Sequence, residues 1–211
     1  MSTPDPTLDG AVPLLNALDG INYVTSRDGT ILAAGAANWH DFAGQNDGHR
    51  LAGPVGLNCL SACSDGETRD AYSTLYEKLW SGDLPRCALR VRCDSPGLKR
   101  EMRLVLAPLH FGGRTKGIVH QSLLVHETQR PAVDLFREYY RHTTAWTGPL
   151  LKMCSYCQKV HMSGDHWVEA EDYYRLGGSS DVRISHGICE PCADSLLKLL
   201  EIDKNQGKGH A

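Results

Sequence analysis

Apolar and polar residues change period several times along this chain, and each change marks an element. Residues 21–25 (INYVT) and 30–34 (TILAA) alternate as strands do, and Arg27-Asp28-Gly29 between them is a hairpin turn sequence. Over ETRDAYSTLYEKLWSG the period becomes helical. There Tyr72, Leu75, Tyr76 and Leu79 fall on one stripe, and Ser81-Gly82 ends the run. Alternation returns in CALRVRC, where Cys87, Leu89, Val91 and Cys93 share a core-facing side and Arg90 and Arg92 the other. REMRLVLAPLHF and GIVHQSLLVHET follow as two further strands joined at Gly112-Gly113-Arg114. Two strands, short helices broken by glycine and proline, then three long antiparallel strands predict an α+β fold.

Past the last strand, RPAVDLFREYYRHTTAW predicts a connector helix. Pro131 suits its first turn, and Val133, Phe136 and Tyr140 form one stripe before Gly148-Pro149 breaks it. Such a stripe serves either to pair two copies of the chain or to fold back on its own sheet. Leu196, Leu199 and Leu200 give a final helical stripe. Arg90, Arg92, Arg100 and Arg103 are expected on a solvent or partner face, and Glu169, Glu171 and Asp172 on a solvated helix face.

Composition narrows the classes. The 211 residues are 41% hydrophobic and 22% charged with a formal net charge of −3, as in a soluble globular chain of one domain plus a small one. From residue 150 onward there are 7 Lys+Arg against 9 Asp+Glu. That balance disfavours nucleic acid as a partner, because phosphate contacts need concentrated basic residues. MSTPDPTLDG lacks a basic region followed by an apolar run, and no apolar stretch reaches the roughly 18–20 residues that span a bilayer. The expectation is a cytoplasmic protein without a membrane partner. Thiols stay reduced in that compartment, so eight cysteines call for something other than a disulfide framework.

Four of them form two C-x-x-C pairs, Cys154/Cys157 in MCSYCQKV and Cys189/Cys192 in SHGICEPC, with 31 residues between the pairs. A C-x-x-C turn aims two sulfurs at one point, and two such turns complete a tetrahedral Zn²⁺ site. The gap exceeds the roughly 15–20 residues of a simple zinc ribbon and suits a treble-clef-like layout, a knuckle followed by a pair that opens a helix. Structural zinc is the leading reading. The alternatives are an iron or iron–sulfur centre, a thiol–disulfide switch, and metal-free structural cysteines. His161, His166 and His186 lie nearby, but four sulfurs already fill a tetrahedral site. Trp167 and Tyr173 are expected as the core of this small module, whose folding would lean on the metal.

Residues 13–128 resemble a PAS sensory domain. The resemblance is carried, in order, by DGINYVTSRDGTILAAG, NWHDFAGQN, VGLNCLSACSDGETRDAY, REMRLVLAPL and the strand ending at Val125. It implies a five-stranded sheet with helices over one face, and between them a ligand, a cofactor or simply core. Residues 150–197 resemble a C-terminal segment of bacterial PAS- and GAF-containing signalling proteins. Here the matching residues are CSYCQKV, Trp167, Tyr173 and SHGICEPC, with Gln158 where a basic residue is common. The division expected is a tail at 1–12, the PAS-like domain at 13–128, a connector at 129–149, the four-cysteine module at 150–200 and a tail at 201–211.

The PAS resemblance raises two cofactors. Flavin is suggested by Gly56-Leu57-Asn58-Cys59 and by Gln121 on the last strand, although Leu60, Ser61 and Ala62 follow the cysteine where flavin domains carry Arg and Gln. Haem would need an axial ligand from His40, His49, His110 or His120, and no C-x-x-C-H motif is present. Cys59 also reads as a small residue at a helix start, with Cys63 one turn on. No kinase, P-loop, nucleophile-elbow or H-E-x-x-H pattern occurs, so no enzyme is expected. The sequence reads as a sensor or adaptor with zinc, protein signalling partners and a homodimeric sensory domain. Its rivals are a haem or flavin sensor and a zinc-dependent nucleic-acid-binding regulator.

Overall fold

In the computed structural model, residues 8, 10–45, 53–63, 66–138 and 148–206 are described. The RDG turn forms as its residues dictate. Gly29 takes a left-handed conformation (φ 86°), and β1 (Ile21–Thr25) runs antiparallel to β2 (Ile31–Ala34). The second hairpin joins β4 (Leu98–Phe111) to β5 (Arg114–Gln129) through Gly112 and Gly113. Both glycines have positive φ, as a turn matched to strand twist requires. With β3 (Cys87–Arg92) these strands form the expected five-stranded sheet in the order β2-β1-β5-β4-β3. Before it lies α1 (Val12–Ala17), and between β2 and β3 lie α2 (Ala36–Gln45), a 3-10 turn (Cys59–Ala62) and α3 (Gly66–Ser81).

Contacts divide the chain into two units. The first holds Met1–Ser61, Asp70–Leu89 and Arg103–Leu124; the second holds Ala62–Arg69, Arg90–Met102 and Val125–Ala211. In the first, Tyr23 opposes His120 and Val24 opposes Val119 across the β1–β5 ladder. Alternation therefore sends Tyr23 and His120 to one face and Val24 and Val119 to the other. Trp39 of α2 and Tyr76 of α3 meet the Tyr23–His120 face, while Leu15 of α1 joins Val24 and Ala33 in a cluster that Val119 also touches. The helical stripe read from the sequence is the buried one: Leu75 and Leu79 are fully buried and Tyr76 nearly so. Gly82 (φ 85°) ends α3 with its N–H on the Leu79 carbonyl.

The second unit has its own four-stranded sheet, order β8-β7-β6-β9. Its strands are β6 (Leu150–Cys154), β7 (Val160–His161), β8 (Trp167–Val168) and β9 (Arg183–Gly187), with β6 and β9 parallel. Two helices accompany it, α5 (Ala170–Arg175) and α6 (Glu190–Gln206). Tyr173 sits in the core with Met153, Val160 and Val168. Its hydroxyl donates to the Ser179 carbonyl (2.8 Å) and accepts from the Ser179 N–H (3.0 Å). Gly178 lies flat against the ring, where an added Cβ would come within 2.3 Å. Trp167 is only half-buried and makes an edge contact with His161, so of the expected aromatic pair Tyr173 is the true core residue.

The connector departs from expectation. Pro131 does not open a helix; the helical residues begin at Leu135, in α4 (Leu135–Glu138), and residues 139–147 lie outside the described ones. The cause is backbone pairing upstream: the Arg130 N–H bonds to the Gly97 carbonyl and the Val133 N–H to the Pro96 carbonyl, which holds the segment extended. Val133 and Phe136 are nonetheless buried, in the core of the second unit. Tyr140 lies outside the described residues. No helix among the described residues is long and apolar enough to cross a membrane.

Candidate metal centre

The two C-x-x-C pairs converge. Cys154 ends β6, Cys157 completes the turn after it, and Cys189 and Cys192 stand at the start of α6, so the knuckle and helix opening expected from the spacing are both present. Their four sulfurs lie within 4.8 Å of one another. Cys157 Sγ and Cys189 Sγ are 3.6 Å apart, close to the edge of about 3.8 Å expected for a tetrahedron of Zn–S bonds near 2.3 Å. Cys154 and Cys189 are buried, while Cys157 and Cys192 are half-buried.

Local backbone builds the site. The Cys154 N–H bonds to the Lys159 carbonyl and the Gln158 N–H to the Cys154 carbonyl, which closes the knuckle. The Ser155 N–H reaches the Gly187 carbonyl and the Cys192 N–H the Cys189 carbonyl. The Cys189 N–H points at Cys154 Sγ at 3.5 Å, a donor that favours thiolate. Cys154 is held far below the ordinary thiol range, to about 2, by hydrogen bonds from the Cys157 and Cys192 thiols. Cys157 is pushed up to about 12 by its hydrogen bond to Cys154, and Cys192 is raised too, by its bonds to Cys154 and Cys157. So many sulfurs in one place cannot all carry charge without a cation. The donor set therefore fits a soft divalent metal, which would neutralise four thiolates and cross-link the knuckle to the helix.

The neighbouring histidines stay out of the sulfur cluster. His161 bonds through Nε2 to the Gly164 carbonyl and packs on Trp167, and His186 opposes Met153 in the β6–β9 ladder. The charged residues near the knuckle are not the solvated decoration expected of them. Arg100 is 4% exposed and holds the Glu127 carboxylate through Nε at 2.6 Å, while Arg90 and Arg103 are exposed as predicted. Glu169 pairs with Arg92 at 2.7 Å, and Glu171 with Lys99 at 2.8 Å and Arg130 at 3.4 Å. Burial would raise both carboxyls, but these cations hold them below the usual range. At the centre Asp94, with no exposed side chain, binds Arg92 and Arg130. Arg130 also donates to the Ser95 and Pro96 carbonyls and lies over the Phe136 ring. Neither Asp94 nor Arg130 was picked out from sequence. Each is a lone charge near a turn, and only the carbonyls and counter-charges around it give it meaning.

Residues considered as cofactor contacts in the first unit are scattered. His120 is fully buried, stacked on Tyr23 at 4.5 Å, with its Nε2 3.2 Å from both the Thr25 and Tyr76 hydroxyls. Burial pushes it down to about 3, so the ring is neutral. Its Nδ1 has no hydrogen-bond partner among the described residues. Cys59 lies at the same face, hydrogen-bonded to Tyr23, whose own hydroxyl is raised by burial first and by Cys59 second. Gln121 alternates to the opposite side from His120 and reaches toward the Asp19 carbonyl (3.4 Å), so it does not join Cys59 in a flavin-type arrangement. His40 is exposed on α2, His110 contacts Thr115 near the hairpin, and His49 lies outside the described residues. Cys87 and Cys93 face inward as predicted, and burial raises each thiol to about 11.

No protein-family model matches the chain, and no curated protein matches it. Among solved structures, the PAS domain of BvgS from Bordetella pertussis is similar, with 13% sequence identity and a TM-score of 0.45 over 58% of this chain and 88% of that one. Sheet order and sulfur cluster together define the class: an α+β chain with a five-stranded antiparallel sheet and four cysteines positioned to bind a metal ion.

Proposed function

We propose that this chain is a non-catalytic sensory adaptor of the cytoplasm. A PAS-like input unit adjoins a structural zinc module in sequence, and the module presents a surface to a protein signalling partner. The observation that carries the reading is the convergence of four sulfurs within 4.8 Å on a knuckle and a helix start. That geometry leaves no open coordination position of the kind catalytic zinc keeps. The Tyr23–His120–Tyr76 face supports an input role without naming its signal, and two copies are expected to pair through the sensory unit.

Elemental analysis and a visible spectrum of freshly purified protein test the reading. One zinc per chain in a colourless protein is the expected result. Iron with a charge-transfer band, a haem Soret band or a flavin spectrum would replace it with a redox, gas or light sensor. Light scattering tests the dimer. A salt-dependent gel shift on DNA would point instead to a nucleic-acid-binding regulator.

A further inference from the structure

Gln158, the residue directly after the knuckle, is the one non-glycine among the described residues with a positive φ (55°). A side chain with Cβ adopts that conformation rarely, and glycine would adopt it freely. The Gln158 side chain is anchored: its Oε1 accepts the Asp94 N–H at 2.7 Å. Two residues earlier on β3, the Arg92 N–H bonds to the Tyr156 carbonyl of the knuckle at 2.6 Å. The knuckle therefore supplies the acceptors for two alternate amides at the strand end, Arg92 and Asp94. Asp94 itself has a buried carboxylate, which binds Arg92 and Arg130 and accepts the Arg100 N–H at 3.0 Å. All of these groups belong to the second unit.

We propose that Gln158 is a positioning residue that links the metal centre to the buried Asp94–Arg130 hub, so that metal occupancy sets the order of the segment from Arg92 to Arg100. The inference rests on the reading of the four sulfurs as a metal site. A metal bound by Cys154 and Cys157 fixes the turn that carries the Tyr156 carbonyl and the Gln158 amide. With the metal gone, the turn no longer holds either acceptor in place, and the Arg92 and Asp94 amides lose their partners. The sensed quantity on this account includes metal availability or thiol state, delivered to the point where β4 begins.

The test is residue-resolved hydrogen exchange on the full chain, loaded with zinc or treated with a chelator, for wild type and Gln158→Gly. Glycine keeps the backbone conformation and deletes the acceptor. In wild type, zinc removal speeds exchange at both Arg92 and Asp94 by at least about tenfold. In zinc-loaded Gln158→Gly, the Asp94 amide is already fast by about that factor, whereas Arg92 keeps its protection. A merely structural role would move both amides together. Zinc-dependent wild type with unchanged exchange at these two amides overturns the link alone, as does a Gln158→Gly variant that protects Asp94 fully. A wild-type chain that takes up no zinc, cobalt or iron overturns the reading of the centre beneath it.

Discussion

The two units bury their interiors by different means. In the first, Leu75, Leu79, Val24 and Ile118 are fully buried on regular elements, and the buried polar side chains described there, Asn22, Thr25 and His120, are neutral. The second has an apolar cluster around Leu135 and Val160, but beside it stand four crowded sulfurs and a hub of charges in which Asp94 and Arg130 are almost wholly out of solvent. Apolar burial is non-directional and survives small changes of geometry. Thiolates and buried ion pairs need their counterparts in place, because an uncompensated buried charge costs far more than a lost contact. The first unit is therefore expected to fail gradually and the second conditionally.

The largest effect that would break this contrast is loss of the metal. Zinc binding is worth on the order of 10 kcal/mol in small structural modules. Cys154→Ser or chelation is expected to make residues 150–200 protease-sensitive while strands β1 and β2 stay protected. Limited proteolysis read by mass spectrometry decides it, and equal loss in both units would end the distinction. Next comes Asp94→Ala, which removes the buried carboxylate shared by Arg92 and Arg130; about 3–5 kcal/mol is the ordinary cost of breaking a buried pair. Denaturant melts of the zinc-loaded protein should show it. In the first unit Leu79→Ala removes a fully buried side chain and should cost about 2–5 kcal/mol, yet leave zinc stoichiometry unchanged.

Acid sharpens the comparison further. His120 titrates near 3 when folded, against an ordinary value of 6.5, so between these values the unfolded chain binds a proton that the folded chain does not. Its stabilisation is complete above about 6.5 and declines as pH falls, by roughly 1.4 kcal/mol per pH unit within that window. Exchange protection of the Tyr23 and Val119 amides should track this slope in wild type and lose it in His120→Phe. The smallest effect belongs to the surface pair Arg27–Glu77, whose side chains are 60% and 51% exposed. Arg27→Ala should leave the melting midpoint unchanged, since solvent screens such pairs.

Much of the fold could be read along the chain because its signals are local. Arg27-Asp28-Gly29 and Gly112-Gly113 announce their turns by backbone permission alone, and Leu75, Tyr76 and Leu79 announce a buried stripe by spacing. Cys154, Cys157, Cys189 and Cys192 announce a shared target because a C-x-x-C turn admits few geometries. Arg100, Glu169 and Glu171 depart from their expected solvated positions for the opposite reason. A charged residue in a strand or helix looks the same whether it meets water or a counter-charge 77 residues away, as Arg92 meets Glu169. The same limit applies to Pro131, whose helix-opening preference yields to backbone bonds with Pro96 and Gly97.

Sequence by itself determined the element types, the two hairpins, the inward Cys87 of β3 and the four sulfurs as one set. Only the tertiary structure decided that Gln121 and His120 face opposite ways, that Asp94 and Arg130 anchor a buried hub, and that Gln158 reaches from the knuckle to the strand end. The physical reason is range. Period, turn preference and C-x-x-C geometry act within a few residues, whereas a carboxylate or an amide takes its role from whatever the folded chain brings within about 3 Å of it.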